Sequence, residues 1–72
     1  MDHFIDGRDM QPPEPFERAM EALDVMGKDD RIVLLLHCQP HPLFQVLRRY
    51  GFVWDENEGP DGSFEYHIRR GG

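Results

Sequence analysis

Three residues with metal-binding or nucleophilic side chains lie close together in the chain: His37, Cys38 and His41. Imidazole nitrogen and thiolate sulfur are ligands of zinc, copper and iron, so this H-C-x-x-H segment is a candidate metal site. Adjacent side chains of an extended segment point to opposite sides, however, and the spacing provides no fourth ligand. Polar loop histidines are therefore the favoured interpretation, and the metal site is an alternative.

Cys38 is the only cysteine, which excludes an internal disulfide and fits a reducing compartment. Its thiolate would be a nucleophile if His37, His41 or the start of a following helix stabilised the negative charge. A lone cysteine is more often a small buried hydrophobic residue, and we predict that Cys38 is buried at the end of a strand. No residue is assigned a catalytic role, and Cys38 is only a candidate thiol.

A second charged segment precedes the first predicted helix and contains Asp6, Arg8, Asp9 and Glu14. General acid-base catalysis needs carboxylates at a defined separation in a dry cleft, which a small two-layer fold rarely offers. We interpret these charges as solvated loop residues. Arg8 is the exception that we retain as a ligand-binding candidate, because it could contact an anion at the start of the helix.

Composition excludes several classes of function. The 72 residues include 8 basic and 14 acidic side chains, which give a net charge of −6 and indicate a single domain over residues 1–72. This acidity argues against a nucleic-acid partner. The sequence also lacks an apolar segment long enough to span a membrane and a secretory signal at its start, so we expect a soluble cytoplasmic protein.

Apolar spacing predicts four strands and two helices. Pro12 and Pro13 should be extended, a helix should begin near Glu14 with Gly27 just after its end, and the second helix should end at Gly51. The continuous apolar segment Arg31–Leu36 is typical of a central strand. The elements predicted in order are a strand at His3–Ile5, a helix from Glu14, a strand at 31–36, a helix at 43–50, a strand beginning at 52–54 and a strand at 64–69.

The order β-α-β-α-β-β predicts an α+β two-layer sandwich, with both helices on one face of a mixed four-stranded sheet. A helical crossover joins the first two strands, so they should be parallel and their carboxyl ends should lie at the same sheet edge. That edge collects residues 7–15 and 37–42. Ligands of open α/β sheets usually bind outside the carboxyl ends of strands, so we expect the functional site there.

The segments Ile5-Asp6 and Pro12-Pro13-Glu14-Pro15, the order of elements and the ending Tyr66–Gly72 resemble the TusA/SirA-like sulfur-carrier superfamily. In that superfamily the loop before the first helix carries Cys-Pro-x-Pro, and the cysteine accepts a persulfide sulfur. Pro12 occupies the cysteine position here. The chain thus resembles the uncharacterised branch, a domain of unknown function without that cysteine.

The resemblance implies a small TusA-like accessory module that binds a partner protein or a small ligand at the loop edge near Pro12 and Cys38. The ligand-binding candidates are Arg8, Pro12, Pro13, Glu14 and Pro15. Two alternatives remain open: a persulfide relay that uses Cys38, and a metal-binding module built on His37, Cys38 and His41.

The helices cover only one face of the predicted sheet, so the other face should be open. Val33 and Leu35, or the alternate residues of the same strand, should join Val53 or Trp54 on that face and dock a partner or form a homodimer. The alternative is that Arg31 and Arg69 cover the patch. The ending Gly71-Gly72 is predicted to be a flexible tail.

Overall fold

A computed structural model describes residues 1–71 of the chain. It confirms the predicted α+β fold with the element order β-α-β-α-β-β. The elements are β1 (Asp2–Asp6), α1 (Glu14–Val25), β2 (Arg31–Leu36), α2 (His41–Arg49), β3 (Phe52–Glu58) and β4 (Phe64–Arg70). In the part of the chain that is described, no helix is both long and apolar enough to cross a membrane.

The sheet has the strand order β1-β2-β4-β3. β1 and β2 are parallel, as predicted, whereas β4 is antiparallel to both β2 and β3. The central strand β2 buries Ile32, Leu34 and Leu36 under the helices, and its alternate residues Val33 and Leu35 are half-buried on the other face. Both helices therefore share one sheet face, and the strands β1 and β3 form the two edges.

The core lies between the helices and the sheet, and each helix contributes one apolar stripe to it. Its largest fully buried side chains are Tyr66, Ile32, Leu34, Leu43, Leu47 and Ile68. Val33, Leu35 and Val53 lie together on the open face of the sheet. This is one of the arrangements that the sequence predicted. Arg31 and Arg69 pair there with carboxylates, at 2.9 Å from Asp2 and 3.1 Å from Asp55 respectively.

Two local predictions are wrong. Pro12 and Pro13 form a turn, not an extended segment, because proline fixes φ but leaves ψ free, and Pro13 takes φ −96° and ψ 16°. Gly27 follows the end of α1 as predicted, where Met26 is extended and the Asp30 carboxylate accepts the Gly27 N–H at 2.8 Å. Gly71 is not a free tail.

The end of β4 is held to the end of α2. The Gly71 N–H donates a hydrogen bond of 2.8 Å to the Gly51 carbonyl, which extends the pairing between β3 and β4 by one residue. Gly51 takes φ 80°, as expected for a glycine that ends a helix. Gly72, the other residue of the predicted tail, lies outside the described residues.

Gly7→Ala should lower the free energy of unfolding by about 1–3 kcal/mol, since overpacking a close contact forces neighbours to move. An alanine Cβ would lie 2.8 Å from the Leu36 side chain and 3.2 Å from the Leu35 carbonyl oxygen. Chemical denaturation measures the change. Gly27→Ala is the matched control, because its nearest new contact is an ordinary 3.7 Å. Equal stability of the two variants would contradict the tight packing at Gly7.

Candidate functional site

The loops that follow β1 and β2 meet at one sheet edge and enclose a groove of about 390 Å³. We call it the proline groove. Nearly all of its exposed wall consists of apolar atoms, and it lies at the carboxyl ends of the parallel strands, where we expected a site. It is lined by Pro12, Pro13, Pro15, Phe16, Leu36, Cys38, Gln39, Pro40 and Pro42.

Both helices begin with the same local sequence, Pro-x-Pro, and both beginnings line the proline groove. Pro13 and Pro40 are the N-cap residues, and their carbonyls accept the N–H groups of Glu17 and Phe44, each at 3.1 Å. A second proline follows in the first turn of each helix, where its missing N–H leaves no hydrogen bond unmade. The groove walls therefore carry few hydrogen-bond donors and little conformational freedom.

Cys38 lies on the wall of this groove and is exposed, so the prediction that it is buried is wrong. The strand β2 ends at Leu36, and the chain bends at His37 and Cys38, which carries the thiol beyond the sheet. Cysteine side chains are often buried, but that tendency does not account for the bend that follows the strand at His37 and Cys38. The structure thus brings together Pro12, Pro13, Pro15 and Cys38.

A hydrogen-bonded cluster supports the segment that carries Cys38. The Gln39 amide donates to both oxygens of Glu56, at 3.2 and 3.4 Å, and the buried Tyr66 hydroxyl donates to Glu56 Oε1 at 2.8 Å. Burial and the Glu56 carboxylate raise the pKa of the Tyr66 phenol above its usual range. Glu56 was not predicted as part of a site, although this acidic residue alternates with Phe52 and Trp54 on the helix-facing side of β3.

The candidate metal ligands are not assembled. Among residues 1–71 no three His, Cys, Asp or Glu side chains are grouped so that they could hold one metal ion. His41 begins α2 and its ring packs edge-on against Phe44, with the ring centroids 5.6 Å apart. His37, Cys38 and His41 are exposed, and the described residues contain no group of three side chains that would make them a metal site.

Arg8 and Glu14 do not line the proline groove. Arg8 binds Asp6 through two side-chain hydrogen bonds, of 2.9 and 2.8 Å, and reaches Asp61 at 3.6 Å. The Arg8 guanidinium lowers the pKa of the Asp6 carboxyl to about 2. Glu14 lies 3.8 Å from Arg18 on the outer side of α1. These charges stabilise their own segments and do not converge on a common ligand position.

Glu56→Ala should lower the free energy of unfolding by about 1–3 kcal/mol, because it leaves the buried Tyr66 hydroxyl without its acceptor. In a Tyr66→Phe background the same substitution should cost clearly less, since the orphaned hydroxyl is absent. Chemical denaturation of the four members of this double-mutant cycle measures the coupling. Additive effects would show that the Tyr66–Glu56 hydrogen bond does not support this segment.

Comparison with known proteins complements this geometry. No curated protein and no solved structure matches the chain significantly. A family model does match, and the match extends over residues 4–70, from the middle of β1 to the last residue of β4. The chain therefore belongs to DUF2249, a family described as uncharacterized conserved protein.

Proposed function

We propose that this domain is a non-enzymatic binding module and that the proline groove holds an apolar side chain of a partner protein. One observation carries the proposal: an apolar groove lies at the carboxyl ends of the parallel strands β1 and β2, and five of the six prolines line it. Its volume of about 390 Å³ is within the range of ligand sites. Membership of an uncharacterized family is compatible with this function.

The chemistry of the groove supports an apolar occupant. Proline rings and the Phe16 and Leu36 side chains provide contact area, and the only heteroatom-bearing side chains on the wall are those of Cys38 and Gln39. Rigid walls lose little conformational freedom on binding, so more of the contact energy appears as affinity. A partner protein suits the site better than a small ligand, because Pro12, Pro13 and Pro42 are exposed along an open side that a partner would cover.

A binding role also fits the chemical groups that are present. A general acid or base must be within hydrogen-bond reach of the proton that it transfers. The groove wall offers a thiol and an amide, and the nearest carboxylate shown to contact the wall, that of Glu56, already accepts hydrogen bonds from Gln39 and Tyr66. These groups suit recognition better than proton transfer.

Disulfide exchange at Cys38 tests the groove directly. We expect folded protein, equilibrated with equal amounts of a phenylethyl and a hydroxyethyl disulfide, to favour the phenylethyl adduct by about tenfold, since burial of an aromatic group stabilises it by about 1.4 kcal/mol. Intact-mass spectrometry gives the adduct ratio. Competition by small apolar molecules, but not by peptides with an apolar anchor, would instead assign a small ligand to the groove.

The matched control moves the thiol to the opposite end of α1. In Cys38→Ser/Lys28→Cys protein the new cysteine lies on an exposed loop, and we expect no preference between the two adducts. Wild-type protein in denaturant should also show none. An equal ratio at Cys38 in folded protein would overturn the binding proposal.

A persulfide relay is the second candidate function, and it is supported by the exposure of Cys38 on the same wall as Pro12. This is the proline that stands where the resembling sulfur carriers have their cysteine. The Cys38 thiolate would attack the terminal sulfur of a donor persulfide. The S–S bond of the donor breaks, a new S–S bond forms at Cys38 and the donor leaves as a thiolate, with no net oxidation.

Cysteine persulfide is the probe for the relay. A relay predicts that Cys38 gains the mass of one sulfur atom and then passes it to an added acceptor thiol, whereas Cys38→Ala protein does neither. The Cys38→Ser/Lys28→Cys protein tests whether the groove contributes. If the displaced cysteine accepts and transfers sulfur as fast as Cys38, the relay assignment fails, and the result of disulfide exchange still decides the binding proposal.

A further inference from the structure

The strand β1 has an open edge with unpaired main-chain groups. Among residues 1–71, only β2 pairs with it. The Met1 carbonyl accepts the Arg31 N–H at 3.0 Å, and the Gly7 N–H donates to the Leu35 carbonyl at 2.8 Å, so the odd-numbered residues direct their main-chain groups toward β2. Main-chain groups alternate in direction along a strand, so those of Asp2, Phe4 and Asp6 point away from the sheet. This edge can pair with one more strand.

A cleft of about 520 Å³ runs between this edge and α1. We call it the edge cleft. One wall consists of His3–Asp6, and the other is a single stripe of α1, because residues 18, 21, 22 and 25 are spaced i, i+3, i+4 and i+7. Two of its apolar side chains are strongly exposed, Val25 at 71% and Phe4 at 65%. Both sides of the cleft thus present apolar surface next to main-chain donors and acceptors.

We propose that the edge cleft binds an extended segment of a partner protein, which adds to the sheet as a fifth strand beside β1. Addition of a peptide to a sheet edge obtains affinity from main-chain hydrogen bonds and specificity from alternate side chains. In this protein Val25 and Ala22 would contact the side chains that point toward α1, and Phe4 would contact those on the opposite face. The surface is separate from the proline groove, so either proposal can fail while the other stands.

The charges indicate the chemistry of the bound segment. The lining of the edge cleft carries two carboxylates, Asp6 and Glu21, against one guanidinium, Arg18, in a chain whose net charge is −6. A segment with apolar central residues and basic flanking residues complements these carboxylates. A second copy of the chain does not, because antiparallel pairing of two β1 strands centred on Phe4 places Asp2 of each copy opposite Asp6 of the other, and like charges directly opposite destabilise a sheet.

The capped peptide Lys-Val-Ile-Val-Lys is the probe. At about 2 mM peptide we expect amide hydrogen exchange of Phe4 and Asp6, followed by NMR, to slow by about tenfold or more, since weak strand addition reaches near saturation in this range. The amides of His3 and Ile5 already pair with β2 and should change little. The same peptide with N-methyl groups on its three central amides keeps its side chains but loses main-chain donors, and it should give no protection.

Matched substitutions locate the peptide. Val25→Ser should weaken binding about fivefold by removing apolar contact in the cleft, whereas Val53→Ser, on the opposite edge strand, should leave it within about twofold. Absence of protection at Phe4 and Asp6, equal effects of the two substitutions, or peptide-induced shifts confined to the proline groove would each overturn the proposal. So would equal protection of Phe4 and Ile5 amides in the free protein, accompanied by a dimeric mass.

Discussion

The close approach of Gly7 to β2 is the constraint on which the site depends. Its N–H bonds to the Leu35 carbonyl at 2.8 Å, one residue beyond the end of β1, and this fixes the point where the first loop leaves the sheet. Because Gly7 has no Cβ, the side chains of Leu36 and Pro15 can pack closely against it. Both of these residues line the proline groove. The contact at Gly7 therefore places the loop before α1 directly against the end of β2, beside the groove.

Carboxylates hold the segments that the core does not reach. Asp30 accepts the Gly27 N–H at 2.8 Å and lies 3.1 Å from His3 and 3.2 Å from the N-terminus, so it joins the end of α1 to β1. The Gly27 hydrogen bond is the main reason that the pKa of Asp30 falls to about 2. Glu56 does the same for the segment that bears Cys38. Asp30 and Glu56 thus have structural roles at the periphery of a small core.

The two surfaces differ in the kind of recognition that their chemistry allows. The walls of the proline groove are rigid and have few N–H donors, so shape and apolar contact dominate there. The edge cleft combines apolar side chains with the free main-chain groups of β1, so direction and alternation of a bound chain matter. The proline groove lies at the first turn of α1, and the edge cleft lies along the stripe of α1 formed by residues 18, 21, 22 and 25. A single helix contributes to both surfaces, through its proline-rich start and through a stripe that contains the half-buried Ala22 and the exposed Val25.

Sequence patterns alone determined the order of elements, the start of α1 at Glu14, the parallel pairing of β1 with β2 and hence the meeting of the Pro12 loop with the Cys38 segment. Those features follow from local propensity and from the handedness and connectivity of a strand-helix-strand unit. Only the tertiary structure decided that Cys38 is exposed, that Arg8 reaches Asp61 at 3.6 Å, and that the strand order is β1-β2-β4-β3. The contact of Gln39 with Glu56, 17 residues apart, belongs to the same class. Such contacts depend on which distant segments pack together. The spacing of residues within one segment does not predict that packing.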